Sequence, residues 1–337
     1  MKRHGNLYEK IIERQNLELA FEKAAKGKNW QSVVKNARAR KDELIDELQA
    51  KMLAKQYKTS EYKTKIIYEP KMRTIYVLPF YPDRIVQHAI MNVLEPIWEK
   101  LFVYDSYACR KGKGQHKGSI RCMEFVRRNS YCLKCDVSKF YPSINHNRLL
   151  EVLAKKIKCQ DTLKLLKDII ESIPGESNVP IGNYLSQWFG NLYLNELDMV
   201  VKHDLHIKDY LRYCDDFLLF GTKEKLIQAI PTIKDCIENS LKMKLSKCDL
   251  FSVTRGVDFL GYRHFPNGYV LLRKSTAKRV KKRMRGIVWN VKHGKSNKDR
   301  ALSSIGSTMG WLKWANTHNL SMAIKLAEVK KEIEQIQ

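Results

Sequence analysis

Apolar residues recur at helical spacing through the first sixty positions. Leu7, Ile11, Ile12, Leu17 and Phe21 fall on one face, Lys26-Gly27-Lys28-Asn29 interrupts them, and a second helix over about Val33–Lys55 carries Leu44, Ile45, Leu48 and Leu53. The opposite face of that helix is basic, which suits either a solvated surface or a flank that tracks phosphates. The period then changes. Lys65–Tyr68 and Arg73–Leu78 read as strands around a turn at Glu69–Met72, and a helix with Asp83 in its first turn runs from Pro82 through Leu94 and Ile97. A strand over Tyr131–Cys135 follows, then a helix over 147–173 with Leu149, Leu153, Ile157, Leu163, Leu166 and Ile170 inside. Further helices run through Leu194 and Leu197 and over Lys223–Leu241.

One stretch breaks the helical pattern sharply. Tyr210–Gly221 reads YLRYCDDFLLFG, two apolar and aromatic arms that predict a β-hairpin with Asp215 and Asp216 in its turn. Aspartate is a good turn former, so an isolated pair would carry no more than that. Here the arms predict burial, and two adjacent carboxylates at the tip of a buried hairpin repel unless a cation neutralises them. Oxygen ligands without a nearby His or Cys cluster suit Mg2+ or Mn2+. A third acid, Asp136, stands at the end of the Tyr131–Cys135 strand. An acid at a strand end beside a double acid on a hairpin is the layout of a two-metal phosphoryl-transfer site, with metals roughly 3.5–4 Å apart.

Composition narrows the partner. Lys and Arg number 62 against 36 Asp and Glu, a formal net charge of +26 that predicts a polyanion, nucleic acid in preference to a membrane surface. The charged N-terminus is not a signal peptide, and no apolar run approaches the roughly 20 residues of a membrane helix, so a soluble, cytoplasmic protein without a membrane partner is expected. Cys132 and Cys135 form a CxxC, but on a strand they point to opposite faces, which predicts reduced structural thiols. Asp105–His116 forms a glycine-punctuated basic loop in which Arg110, Lys111 and Lys113 suit a phosphate. Lys71 and Arg73, at the turn of the first hairpin, either present two cations to a triphosphate or are plain surface charges.

Several motifs now resemble one family. Tyr213-Cys214-Asp215-Asp216 looks like the YxDD box of reverse transcriptases, and Asp136 with Tyr141 five residues on looks like their first palm motif. DRIVQ at 83–87, LEPIW at 94–98 and SYACR at 106–110 resemble the fingers of bacterial retroelement enzymes, group II intron enzymes included. The resemblance implies an α+β, right-hand polymerase with an N-terminal helical extension (1–60), fingers (61–129), a palm with an antiparallel sheet and helices (130–265, with a helical segment near 147–178) and a helical thumb (266–337). It implies that Asp136, the Val137 carbonyl, Asp215 and Asp216 hold two Mg2+. Tyr141 stands at the steric-gate position, or is a core aromatic. Lys247 is placed to protonate the pyrophosphate leaving group, or is a surface lysine. Leu260, Gly261 and Tyr262 would hold the 3′ end of the primer.

One departure is specific. Where most reverse transcriptases read Pro-Gln-Gly before a Ser-Pro, this chain has Pro180-Ile181-Gly182 and then Ser186-Gln187. The pattern resembles the reverse transcriptases of diversity-generating retroelements, as does Trp311–Leu320. That resemblance implies a bacterial or phage enzyme that copies a template RNA into cDNA with errors opposite adenine, beside a small basic accessory variability protein. An aliphatic Ile181 against the templating base cannot hydrogen-bond as glutamine does, which weakens discrimination. Template RNA, the cDNA primer, the RNA/DNA hybrid and dNTPs are the implied partners. The competing readings are a group II intron-like, retron-like or defence-associated reverse transcriptase of ordinary fidelity, and a catalytically silent RNA-binding protein on the same fold.

Overall fold

The computed structural model describes residues 3–68 and 72–335. Four helices, Tyr8–Ile12, Arg14–Ala25, Ser32–Ala39 and Lys41–Leu53, open the chain. The helix expected over 33–55 is divided at Arg40, whose φ of −116° is non-helical. Leu17, Phe21, Ile45, Leu48 and Met52 are buried and join one core with the apolar helix Ile85–Trp98.

Strands β1 (Lys63–Ile67) and β2 (Arg73–Val77) pair antiparallel as a largely exposed hairpin. A helix over Gln115–Arg128 leads into β3 (Tyr131–Val137). The expected helix over 147–173 is two, His146–Ala154 and Gln160–Ile170. The cause is local. His4 donates its backbone N–H to Lys156 O (2.8 Å) and accepts from Lys158 N (2.7 Å), so this stretch pairs with the N-terminal segment and leaves the helix ladder.

After the helix Tyr184–Met199 come β4 (Tyr210–Tyr213), β5 (Asp216–Gly221), the helix Lys223–Asp235 and β6 (Leu245–Ser252). These complete an antiparallel four-stranded sheet in the order β4-β5-β3-β6. Alternation along its strands feeds two cores. Leu133, Cys135, Phe217 and Leu219 enter the large one. Cys132, Leu211, Leu218 and Phe220 enter a smaller one with Cys122, Phe125, Val257 and Phe259. Cys132 and Cys135 therefore lie on opposite faces, and all eight cysteines are free thiols.

A second antiparallel sheet, β7 (Val257–Phe259), β8 (Tyr262–His264) and β9 (Val270–Leu272), leads to the C-terminal helices. Three of these, Lys274–Lys292, Lys298–Leu312 and Leu326–Gln335, enclose Met284, Ile287, Ala301, Ile305 and Ile333. The basic C-terminal third is thus folded around its own small core. Among the described residues no helix is long and apolar enough to cross a membrane.

Beneath β4 lies a fully buried ion pair. Arg212 donates to Asp198 from Nη2 (2.6 Å) and Nε (2.8 Å), and Tyr210 donates its hydroxyl to the same carboxylate. Arg212 Nη1 also reaches Asn191 Oδ1 (3.2 Å) and the Cys214 carbonyl (3.1 Å), so this cation fixes the hairpin turn from below. Removing one partner of such a pair strands the other charge in the interior. Asp198→Leu is expected to destabilise the protein by about 3–5 kcal/mol in urea unfolding. The double variant Asp198→Leu/Arg212→Met should lose less than the single one, because no uncompensated charge remains.

Candidate active site

Strands β3 and β5 end side by side. Asp136 and Asp216 are register partners, so their side chains leave the same face of the sheet. Tyr213 pairs with Asp216, which makes Cys214-Asp215 the two-residue turn, with Cys214 in the left-handed region at φ 53°. The expectation of both acids in the turn is corrected by one position: Asp215 sits in the turn and Asp216 begins the returning strand. Val137 is buried where the β3–β6 register shifts, just past Asp136. Ser246 donates its hydroxyl to Asp136 Oδ2 (2.7 Å).

Charge crowding is visible in the site. Burial, then the negative charge of Asp136, pushes the Asp215 carboxyl up to about 6. Burial also raises Asp216, opposed by Lys134. Lys134 stands two residues before Asp136 on the same face, itself buried, with Nζ 3.1 Å from Asp216 Oδ2 and 2.6 Å from the Asp258 carbonyl. The other oxygen of Asp216 is buried without a hydrogen-bond partner. Among the described residues no three His, Cys, Asp or Glu side chains are drawn together as a ready ligand cluster. The lysine does part of the neutralising instead.

Around the carboxylates the structure places the other expected residues unevenly. Arg73, at the start of β2, is exposed, and its charge partly opposes the rise at Asp215. Lys71 lies outside the described residues. Tyr141 packs on Phe140 (ring centroids 5.0 Å apart) against the large core. Burial pushes its hydroxyl far above the ordinary range, with the Cys214 and Cys109 thiols and Asp215 adding to the rise. It is thus at once a packed aromatic and a neighbour of the carboxylates. Lys247, on β6, is the register partner of Asp136 on β3, with Nζ 3.0 Å from Asp249.

Arg110 is a correction. Its guanidinium is buried and donates to Glu99 from Nη2 and Nε (2.7 and 2.9 Å) and to the carbonyls of Val103 and Ser106 from Nη1 (2.7 and 2.9 Å). A buried cation must be satisfied internally, so it closes its own loop and presents nothing to a phosphate. Lys113 likewise donates to the Tyr104 carbonyl (2.6 Å) and lies over that ring.

Ile181 accepts a hydrogen bond on its carbonyl from Tyr76 N (2.7 Å), which fastens this segment to β2. Gly182 has φ 123°, and a Cβ there would lie 2.2 Å from the Tyr76 carbonyl oxygen, so only glycine fits. Gln187 is exposed on the helix that follows. Leu260 and Gly261 form the left-handed turn between β7 and β8, held by Gln115 Nε2 donating to Leu260 O (2.8 Å). Tyr262 stacks on Trp311 (5.4 Å) and donates its hydroxyl to the Trp311 carbonyl (3.1 Å).

Sequence reasoning passed over Lys134 and Ser246. For Lys134 a signal existed: on a strand ending in Asp136, residue 134 shares the face of the acid. Ser246 depends on the β3–β6 register and had none.

Comparison with known proteins follows the same line. The family model described as reverse transcriptase (RNA-dependent DNA polymerase) matches residues 63–264. Protein YkfC of Escherichia coli is 26% identical over 236 residues, 55% of this chain and 61% of that protein. Nuclear intron maturase 4 of Arabidopsis thaliana is 23% identical over 204 residues, 58% of this chain and 25% of the other. The group II intron-encoded protein LtrA of Lactococcus lactis is 26% identical over 139 residues, 39% of this chain and 23% of its own. Each alignment thus spans less than two thirds of the relative. The matched region takes in more than half of this chain and every described carboxylate of the site, and the protein belongs to the reverse transcriptase family, on an α+β right-hand polymerase fold.

Proposed function

We propose that the protein is an RNA-directed DNA polymerase and that its site works with two Mg2+, or Mn2+. The observation that carries the reading is the register pairing of Asp136 with Asp216, with Asp215 in the adjoining turn. The donor set fits hard divalent cations: an unpartnered buried oxygen on Asp216 and an Asp215 raised by its neighbours are both groups that a cation would relieve. Asp136, Asp215, Asp216 and the Val137 carbonyl would hold the ions, which supply charge neutralisation at the transferring phosphate. The primer 3′-hydroxyl attacks the α-phosphate of a dNTP, and pyrophosphate leaves. The chain's own part is placement. Tyr141 bounds the nucleotide beside Asp215, Arg73 faces it from β2, Lys247 is the candidate acid for pyrophosphate, and Leu260–Tyr262 seat the primer. Residues 61–129, 130–265 and 266–337 act as fingers, palm and thumb around the hybrid. The +26 charge supports tracking of a polyanion backbone.

More narrowly, Ile181-Gly182 and Ser186-Gln187 support a diversity-generating retroelement of a bacterium or phage, with errors opposite adenine. A structured template RNA would mediate contact with a small basic accessory protein, since two basic proteins repel. A second reading, a group II intron-type reverse transcriptase, is favoured by the names of the relatives.

Primer extension on a defined RNA template with Mg2+, followed by cDNA sequencing, separates these readings. Errors concentrated opposite adenine support diversification, whereas rare and evenly spread errors favour the intron-type enzyme. Continued silence with cognate RNA and accessory protein present removes the polymerase reading. Asp215→Asn should abolish incorporation with RNA binding nearly intact. Ile181→Gln should lower misincorporation opposite adenine by several-fold, on the order of ten.

The raised Asp215 also sets a pH dependence. Its folded value, about 6, exceeds the 3.8 of the free side chain, so the native state holds more protons between these values. Stability of the metal-free protein therefore falls as pH rises through that window. In urea unfolding with chelator, Asp215→Asn should be more stable than wild type by about 2 kcal/mol at pH 8, the gap closing toward pH 4. Adding Mg2+ should stabilise the wild type and leave the variant nearly unchanged.

A further inference from the structure

Four rings from three separate stretches of chain meet where the C-terminal helices join the β7–β8 turn. His116 lies in the first turn of the helix Gln115–Arg128, and Tyr262 begins β8. Trp311 lies in the last turn of the helix Lys298–Leu312, and Trp314 stands just beyond it. His116 stacks on Trp314 nearly face to face, with centroids 4.6 Å and planes 11° apart. It also lies edge-on to Trp311 (6.5 Å) and beside Tyr262 (6.4 Å), so it neighbours all three other rings. Its Nδ1 is buried without a hydrogen-bond partner among the described residues. The flat face of the ring, not a polar bond, ties it to Trp314. Both flanks of this seam are fixed. Gln115 Nε2 donates to Leu260 O, and a Cβ on Gly118 would lie 2.9 Å from Leu260 Cδ1, so the helix of His116 is pressed on the turn. Ser119 donates its hydroxyl to Nε2 of the buried His264 (2.8 Å), whose Nδ1 donates to the Val257 carbonyl (3.1 Å). On the other flank a Cβ on Gly261 would lie 3.0 Å from the Trp311 ring, and Asn316 N donates to the Val270 carbonyl (2.7 Å). The core of the C-terminal helices is built from their own residues. Contacts at their edge, not a shared core, therefore set how they stand against β7 and β8.

We propose that His116 is a positioning residue: by stacking on Trp314 it fixes the C-terminal helices against the β7–β8 turn and so sets the grip on the primer–template duplex. It acts through Trp314, Trp311 and Tyr262. The consequence for synthesis rests on the polymerase reading above, in which Leu260–Tyr262 seat the primer. With the stack in place, the turn and the basic helix Lys274–Lys292 hold one setting while the duplex advances. With the stack broken, the helices swing about the link from β9 to that helix, and the duplex is released more often between additions. The stack does not touch Asp136, Asp215 or Asp216, so the addition of a nucleotide to a duplex already bound is left as it was.

The test compares full-length His116→Ala, His116→Phe and Trp314→Ala with the wild type. Primer extension is run with excess unlabelled duplex as a trap for released enzyme, and amide hydrogen exchange is measured without nucleic acid. His116→Ala should bind primer–template about tenfold more weakly and give products about fivefold shorter, with single-nucleotide kcat within about twofold of wild type. His116→Phe keeps the flat ring and loses both nitrogens, and it should restore affinity and product length. Trp314→Ala should match His116→Ala, and the double variant should be no worse than either. Exchange over 260–262 and 311–316 should rise about tenfold in His116→Ala, while β3 and β5 keep wild-type protection. Four results would overturn the proposal: a fall in kcat as large as the fall in affinity, failure of His116→Phe to rescue, unchanged exchange over 311–316, which would make His116 a nucleic-acid contact in its own right, or lost protection throughout the chain, which would give it a role in folding alone. Should the wild type incorporate no nucleotide, the polymerase reading fails by itself, while hydrogen exchange in the three variants still decides the seam.

Discussion

Three carboxylates at one end of a sheet repel one another, and much of the surrounding architecture holds them there regardless. Asp136 and Asp216 are forced together by strand register, which cannot slip by one residue without turning Cys135 and Phe217 out of the large core. Asp215 is held by a turn whose first residue is left-handed and whose carbonyl is clamped by a buried arginine. The fold therefore stores electrostatic strain at the site and compensates it with apolar burial elsewhere.

Lys134 shows how that strain is shared. It bridges Asp216 to the carbonyl of Asp258 on β7, and Asp258 in turn pairs with Arg273 at the start of the helix Lys274–Lys292. Charge at the sheet end is thus connected through one lysine to the hairpin that precedes the C-terminal helices. Tyr262, stacked on Trp311, joins that hairpin to the helix Lys298–Leu312.

What the sequence disclosed follows from which interactions are local. The hairpin over 210–221, the strand ending at Asp136 and the helical C-terminal third are all patterned at short range, and all are present. The misses are long-range. The helix over 147–173 is broken by pairing with His4, more than 150 residues away in sequence, which no periodicity discloses. Arg110 reads as a free cation in a glycine-rich loop until Glu99 and two carbonyls close around it. Asp215 and Asp216 were legible as a pair, but the division of labour between turn and strand needed the register with Tyr213. Ser246 reaches Asp136 only because β6 lies beside β3.

The fastening of Ile181 and Gly182 to Tyr76 has a wider consequence. A carbonyl–amide bond of 2.7 Å and a contact that excludes any Cβ make the segment ahead of the helix Tyr184–Met199 a passenger of the β1–β2 hairpin. Whatever tilts that hairpin tilts the Ile181 backbone with it. On the proposed reading, in which Ile181 lies against the templating base, copying accuracy becomes a mechanical property of two joined segments, one that changes along the hairpin alter as changes at Ile181 do.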